Sequence, residues 1–318
     1  RRSTAPSVVY HRRMASRILE CIPNFSEGRD TSVVDRIVEA IAGVPGVRML
    51  RRESDVDHNR SVVTFAGEPE PVVEAAVLGV SRAADLIDLT AHTGQHPRMG
   101  AADVVPFVPI EGVTMEEAVA FARRAAERIW GEVGVPVYLY EESAAVPEHR
   151  NLADLRRGGF EAIRAEIATV LARAPDLGEP RVHPTAGITA VGARKPLVAF
   201  NIMLGTNDVR IARRIARAVR HSSGGLRYVK ALGLELTSRG IVQVSMNLVD
   251  YRGTPVHLAF EMVRREAERY GVPVLGSELI GLIPRDALVA AAEYYLRLTD
   301  FDASRVLETR LEETNRDE

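Results

Sequence analysis

A single cysteine, Cys21, is all the thiol chemistry that the 318 residues offer. No disulfide can form within the chain, and a cysteine-based zinc site has no ligand set to draw on. A reducing compartment fits this usage, and a cytoplasmic location is expected. Net charge is also scarce: the formal value is -2. That leaves no global field to hold nucleic acid or an anionic membrane, so neither is expected as a partner. No apolar run approaches the roughly 20 residues that span a bilayer. Lysine is nearly missing, since Lys195 and Lys230 are the only two. With so much arginine, a surviving lysine points to a position where a compact ammonium is wanted, and Lys195 is the better candidate.

The common chemical loops are missing as well. There is no Walker loop, no G-x-G-x-x-G, no H-E-x-x-H and no G-x-S-x-G. The usual nucleotide, zinc-protease and hydrolase-elbow readings therefore have no motif behind them. What is present is an ordinary globular composition, 46% hydrophobic and 26% charged, long enough for two compact domains. The first thirteen residues hold four arginines and no acid, a transit-peptide composition. Their apolar residues show no helical stripe, so Met14 is read as the native start and what precedes it as a translation artefact, with residues 1–17 set apart from the folded domains as a leader segment.

Residues 18–23 read as a buried strand. Asp30 or Thr31 can cap a helix running to Ala42, with Val34, Ile37, Val38 and Ile41 on one face. Strands are expected over 47–53 and 61–65, a long helix over 71–87 and a strand over 104–110. This is β-α-β-β-α-β, the ferredoxin-like split βαβ unit. A helix then begins at Thr114, whose capping box is completed by Glu117, and 136–140 adds a strand. The second half repeats the order: strand 197–204, a helix capped by Asn207 or Asp208, strands 228–236 and 242–249, a helix from Val256 and a strand 274–277. The fold class expected is therefore α/β (α+β), two ferredoxin-like subdomains related by duplication, with a ligand cleft or tunnel between them. The boundary is expected in the Pro- and Gly-bearing stretch 174–187. It is taken as 18–180 for the N-terminal subdomain and 181–298 for the C-terminal one, followed by a charged tail, 299–318.

The segment that stands out joins the long helix of the first half to its last strand: Asp88-Leu-Thr-Ala-His92-Thr-Gly-Gln-His96-Pro-Arg-Met-Gly-Ala-Ala-Asp103. Histidines four apart on a helix could share a metal. Gly94 weakens a helix here and Pro97 steers His96 away from helical geometry, so a metal pair is not expected. A loop histidine fixed by Pro97 and close to Arg98 suits proton transfer or anion binding.

Cys21-Ile-Pro-Asn-Phe-Ser-Glu-Gly28 resembles the N-terminal signature of the glutamate formiminotransferases. So do Asn59-Arg60, Gly94-Gln-His96-Pro-Arg-Met-Gly100 with Asp103, and Val135-Pro-Val-Tyr-Leu-Tyr140. Gly192-Ala-Arg-Lys195 with Ala199-Phe-Asn201, and Gln243-Val-Ser-Met-Asn247, complete a collinear set over residues 18–298. The resemblance implies a homodimeric enzyme of the single-function bacterial type. It would move a formimino group between N-formimino-L-glutamate and tetrahydrofolate, its co-substrate, with no metal. It places the catalytic histidine at His96 and the folate loop over 178–187, with Gly178, His183 and Gly187. An assisting aspartate of the animal enzymes falls on Glu53, with Asp55 close by, and an aromatic residue of their loop is replaced by Ala186.

The chemistry asks for one group that removes a proton from the attacking folate nitrogen and returns one to the leaving glutamate nitrogen. An imidazole with a pKa near 6.5 can do both. A carboxylate, Glu53 or Asp55, would stabilise the protonated imine. Glutamate carboxylates call for cations, and Arg60, Arg98, Arg194 and Lys195 are the candidates. Asn24 and Asn59 either orient substrate or satisfy turn backbone, and His183 either bonds the pterin or faces solvent. The alternatives are an enzyme of the same family acting on 5-formyltetrahydrofolate, a non-catalytic folate-binding protein, and a metal-dependent formiminoglutamate hydrolase.

Overall fold

A computed structural model describes residues 17–317, so the expected leader, Arg17 apart, lies outside the described residues. The first half runs β1 (Ile18–Cys21), β2 (Asn24–Phe25), α1 (Thr31–Ala42), β3 (Arg48–Asp55), β4 (Arg60–Gly67), α2 (Pro69–Leu86), β5 (Ala102–Glu111), α3 (Met115–Arg128), β6 (Val137–Glu141), α4 (Leu152–Leu155), α5 (Gly159–Glu166) and β7 (Thr189–Ala193). The second runs β8 (Val198–Leu204), α6 (Val209–Val219), β9 (Val229–Leu236), β10 (Ile241–Leu248), α7 (Val256–Arg269), β11 (Val274–Ile280), α8 (Arg285–Leu296) and α9 (Leu307–Asp317).

β1 and β2 are one strand interrupted at Ile22-Pro23, where proline supplies no N–H to the ladder. Both pieces lie between β4 and β5, and β3 flanks β4, all antiparallel. The second sheet has the order β11-β8-β10-β9, also antiparallel. Taking each unit's four strands in chain order, both sheets read 4-1-3-2, which is the ferredoxin-like arrangement twice over. The first sheet is then extended by two parallel strands, in the order β5-β7-β6.

The caps expected from the sequence form. Asp30 accepts from Ser32 N, Thr114 and Glu117 close a capping box, and Asp208 accepts from Arg210 N. In α6, Ala212, Ile215, Ala216 and Val219 are buried, while Arg210, Arg213, Arg214 and Arg217 face outward. The helices α1 to α3 cover one face of the first sheet, burying Phe25, Phe65 and Phe107 with the aliphatic side chains around them. α6 and α7 cover one face of the second, over Ile202, Val242 and Val244. At roughly 1.5–3 kcal/mol for each large apolar side chain buried, these two cores carry each half.

β7 moves the boundary. It pairs with β5 and β6, so the chain leaves the first sheet only after Ala193 and enters the second at Val198. A division at 180/181 falls inside the first unit. The strand was not foreseen because Thr189–Ala193 is short, carries a glycine and is buried on both faces, and so shows no alternation.

Candidate active site

The His96 loop is held against the turn between β3 and β4. That turn needs a left-handed residue, which Asn59 supplies with φ 49°. Asn59 accepts from Gly28 N at 2.9 Å and donates to Thr93 O at 3.0 Å, clamping the turn to the histidine loop. Gly94 makes the approach possible: a Cβ there would sit 2.3 Å from the His58 carbonyl oxygen.

Pro97 O lies 2.7 Å from His96 Nδ1. A carbonyl can only accept, so Nδ1 bears the proton and Nε2 is left as the basic nitrogen. Burial holds the His96 pKa well below the ordinary imidazole value, helped by the charges of Arg60 and Arg156 and opposed by Asp103. The ring is therefore neutral, and competent as a base, through the physiological range. A further imidazole, His58, lies with its ring centre 5.8 Å away. We expect the acid limb of kcat/KM to fall below pH 6.5, because protonation of the free enzyme's base is what ends activity there. An acid limb above 6.5 would rule out His96 as that base.

Under this loop lies a buried ion cluster. Asp103 is fully buried and receives Arg60 Nη1 at 2.7 Å and Arg156 Nη2 at 2.6 Å on the same oxygen, Oδ2. Its Oδ1 accepts from Met99 N at 2.8 Å, tying the cluster to the histidine loop. Asn24 Oδ1 accepts from Arg60 Nε at 3.1 Å. Burial lowers the Arg60 pKa to about 10 against the pull of Asp103, with Arg156 adding to the lowering. Burial alone would raise the Asp103 pKa, yet Arg156 and Arg60 bring it down to about 2. One carboxylate thus faces two guanidiniums.

The second half contributes at the junction. His58 Nε2 lies 2.9 Å from Gln243 Nε2 of β10, the amide donating, and His58 N donates to Asp55 Oδ1 at 2.7 Å. Asp57 accepts from Ser238 N at 3.0 Å, Glu53 Oε2 accepts from Gly281 N, and Lys230 Nζ meets Glu141 Oε1 at 3.0 Å. Burial lowers the His58 pKa and Asp55 opposes this, as does Glu278 of β11. Glu53 therefore reaches the second half, while its other oxygen receives Arg51 Nε at 2.8 Å, and Asp55 is held within the turn by His58 N.

Several expected residues are committed to structure. Arg98 donates to both oxygens of Glu161 at 2.7 Å, to His92 Nδ1 at 3.2 Å and to His92 O at 3.1 Å. It braces the loop that carries His96 and has little left for a substrate. Lys195 is 69% exposed and 4.0 Å from Asp250, a surface pairing, and Arg194 Nη1 donates to Lys195 O. The loop over 178–187 divides. Its Gly187 end packs under the histidine segment, where a Cβ would lie 2.2 Å from Met99 O, and Ala101 N donates to Ala186 O at 2.8 Å. Its Gly178 end packs on Pro136 and Trp130 instead. His183 Nδ1 accepts from Ala186 N at 3.0 Å, closing the tight turn. A cavity of about 630 Å³ lies elsewhere, between α8 and the segment that follows it, and includes none of these residues.

Sequence reasoning missed His58, Gln243 and Arg156. His58 lay within the polar run between β3 and β4, and Gln243 within a quoted signature, but neither was singled out. Arg156 carried no local signal. Among the described residues, no group of three or more His, Cys, Asp or Glu is placed to hold a metal ion, and no helix is long and apolar enough to cross a membrane.

Two ferredoxin-like units, joined by side-chain contacts such as His58 to Gln243 and Asp57 to Ser238, define a duplicated α/β protein. The family model for the formiminotransferase domain, N-terminal subdomain, matches residues 18–194, and that for the formiminotransferase domain matches residues 199–309. The chain belongs to the formiminotransferase family. It is 49% identical to the glutamate formimidoyltransferase of Streptococcus pyogenes serotype M1, over 93% of this chain and 99% of that one. It is 46% identical to the glutamate formimidoyltransferase of Thermoplasma acidophilum, over 93% and 97%. It is 43% identical to the formimidoyltransferase-cyclodeaminase of Mus musculus, over 88% of this chain and 52% of that protein.

Proposed function

We propose that the chain is a glutamate formimidoyltransferase, moving the formimino group between N-formimino-L-glutamate and tetrahydrofolate. The observation that carries this is 49% identity to a protein of that name across 99% of its length. The chemistry follows from the site. A neutral His96 takes the proton of the folate nitrogen through Nε2 as that nitrogen bonds to the formimino carbon. The tetrahedral adduct then expels the glutamate nitrogen, and the imidazolium returns a proton to it. The preset neutral ring favours the first transfer, and the cationic form gained in the adduct is the acid for the second. Glu53 or Asp55 would offset the charge of the protonated imine.

The test is an assay of purified protein with formiminoglutamate and tetrahydrofolate, with and without chelator. Release of glutamate, unchanged by exhaustive chelation, is expected. Glutamate release without folate, restored by zinc after chelation, would replace this reading with a hydrolase.

We also propose a homodimer working in the cytoplasm. α8 and its flanks leave Leu288, Tyr294, Tyr295, Leu296 and Leu298 exposed, apolar side chains of the kind that subunits cover. Light scattering should give twice the 34.9 kDa chain mass, and the single mass at micromolar concentration would contradict it.

A further inference from the structure

The buried cluster is out of balance. Arg60 and Arg156 share Asp103, and the histidine beside them is neutral, so the cluster carries a net positive charge away from water. An uncompensated buried charge is costly and persists where a ligand completes it. The two arginines are not equivalent. Arg60 spends Nε on Asn24 and Nη1 on Asp103. The Arg156 side chain is 14% exposed, and its Nε and Nη2 are buried without a hydrogen bond, although Nη2 touches Asp103 as an ion pair. Glu161 on the adjacent α5 is taken by Arg98. Arg156 itself is fixed as the C-cap of α4, beside the buried Leu155.

We propose that Arg156 receives the α-carboxylate of formiminoglutamate. This rests on the transferase reading above. In that substrate the α-carboxylate is attached to the carbon that bears the reacting nitrogen. A cation beside His96 can therefore reach it while the formimino carbon lies at the imidazole. The glutamyl carboxylates of folate are separated from its reacting nitrogen by the whole aminobenzoyl group and do not reach the same cation. The planar fork of arginine matches a carboxylate with two parallel N–H bonds.

Two substitutions and one ligand pair test this. Arg156→Gln should raise KM for formiminoglutamate by roughly 10–100-fold, the worth of a charge-assisted hydrogen bond, with KM for tetrahydrofolate little changed. It should also move the acid limb of kcat/KM upward. The charged and titratable groups acting on His96 are Arg60, Arg156, Asp103 and His58, and Arg156 is among those that hold its pKa down. Arg156→Lys keeps the charge and should leave that limb in place while still raising KM. A purely structural arginine would also move the limb, through its charge on His96, but would not raise one KM selectively. Equal changes in both Michaelis constants, or none, overturn the proposal. If the variants do not fold, calorimetry on the unaltered protein decides: glutamate should bind and its α-carboxamide should not, and equal binding overturns the assignment. Absence of transfer by the unaltered protein would defeat the transferase reading instead, and the calorimetric comparison still reports on Arg156.

Discussion

His96→Ala should lower turnover by about 10²–10⁴-fold, the usual contribution of a positioned acid–base group. The fold should survive, because the ring sits in a loop and makes one hydrogen bond, to the carbonyl of its neighbour. Removing it leaves Asn59 to clamp the loop and Asp103 to hold Met99 N, so the scaffold has other anchors. Steady-state kinetics and a thermal melt of the same preparation check both halves of this expectation. A variant that keeps near-normal turnover removes the histidine from the mechanism. One that melts far below wild type shows that the side chain was holding the loop.

Asp103→Asn should do the opposite: damage the fold first. It leaves Arg60 and Arg156 buried against each other with no carboxylate, and breaking a buried pair in this way typically costs about 3–5 kcal/mol. Urea unfolding monitored by circular dichroism gives the number. A loss under about 1 kcal/mol would mean that water or a neighbouring group neutralises the cluster. The pH dependence has a definite sign. The folded-state pKa of Asp103 is about 2, below its ordinary 3.8. Unfolding therefore binds a proton between these values. The contribution of this carboxylate is full above its unfolded value and is lost as pH falls through 3.8 toward 2. The asparagine variant should lack that part of the acid dependence.

The duplicated architecture was legible because each half writes its elements in two clear periods. α6 buries every third or fourth residue, and Asp208 marks its start. The strands of the second sheet alternate where only one face meets helices, as in Val242, Val244, Met246 and Leu248 of β10. Other elements gave no such signal. β7 has no alternation, and α4 is a single turn whose Asn151 cap resembles any loop asparagine. The same physics divides the site. His96 was readable because Gly94 and Pro97 set off a loop in which an imidazole has no core to fill. For Arg98 and Lys195 the sequence could not show that Glu161 and Asp250 lie within reach as partners. Arg156 and Asp103 lie far apart in sequence, and only the packing of α4 against the strand end reveals one carboxylate between two cations.

The place of β7 also fixes an order of manufacture. β6 leaves the ribosome long before β7, yet it reaches the rest of its sheet only through β7. Until Ala193 has been made, one side of β5 and the facing edge of β6 expose unpaired backbone, the condition under which nascent chains attract one another. A fragment ending at residue 180 is left permanently in that state, with β6 detached. A fragment ending at 195 has every strand of the first sheet. A division meant to yield separable pieces belongs in the short passage between β7 and β8.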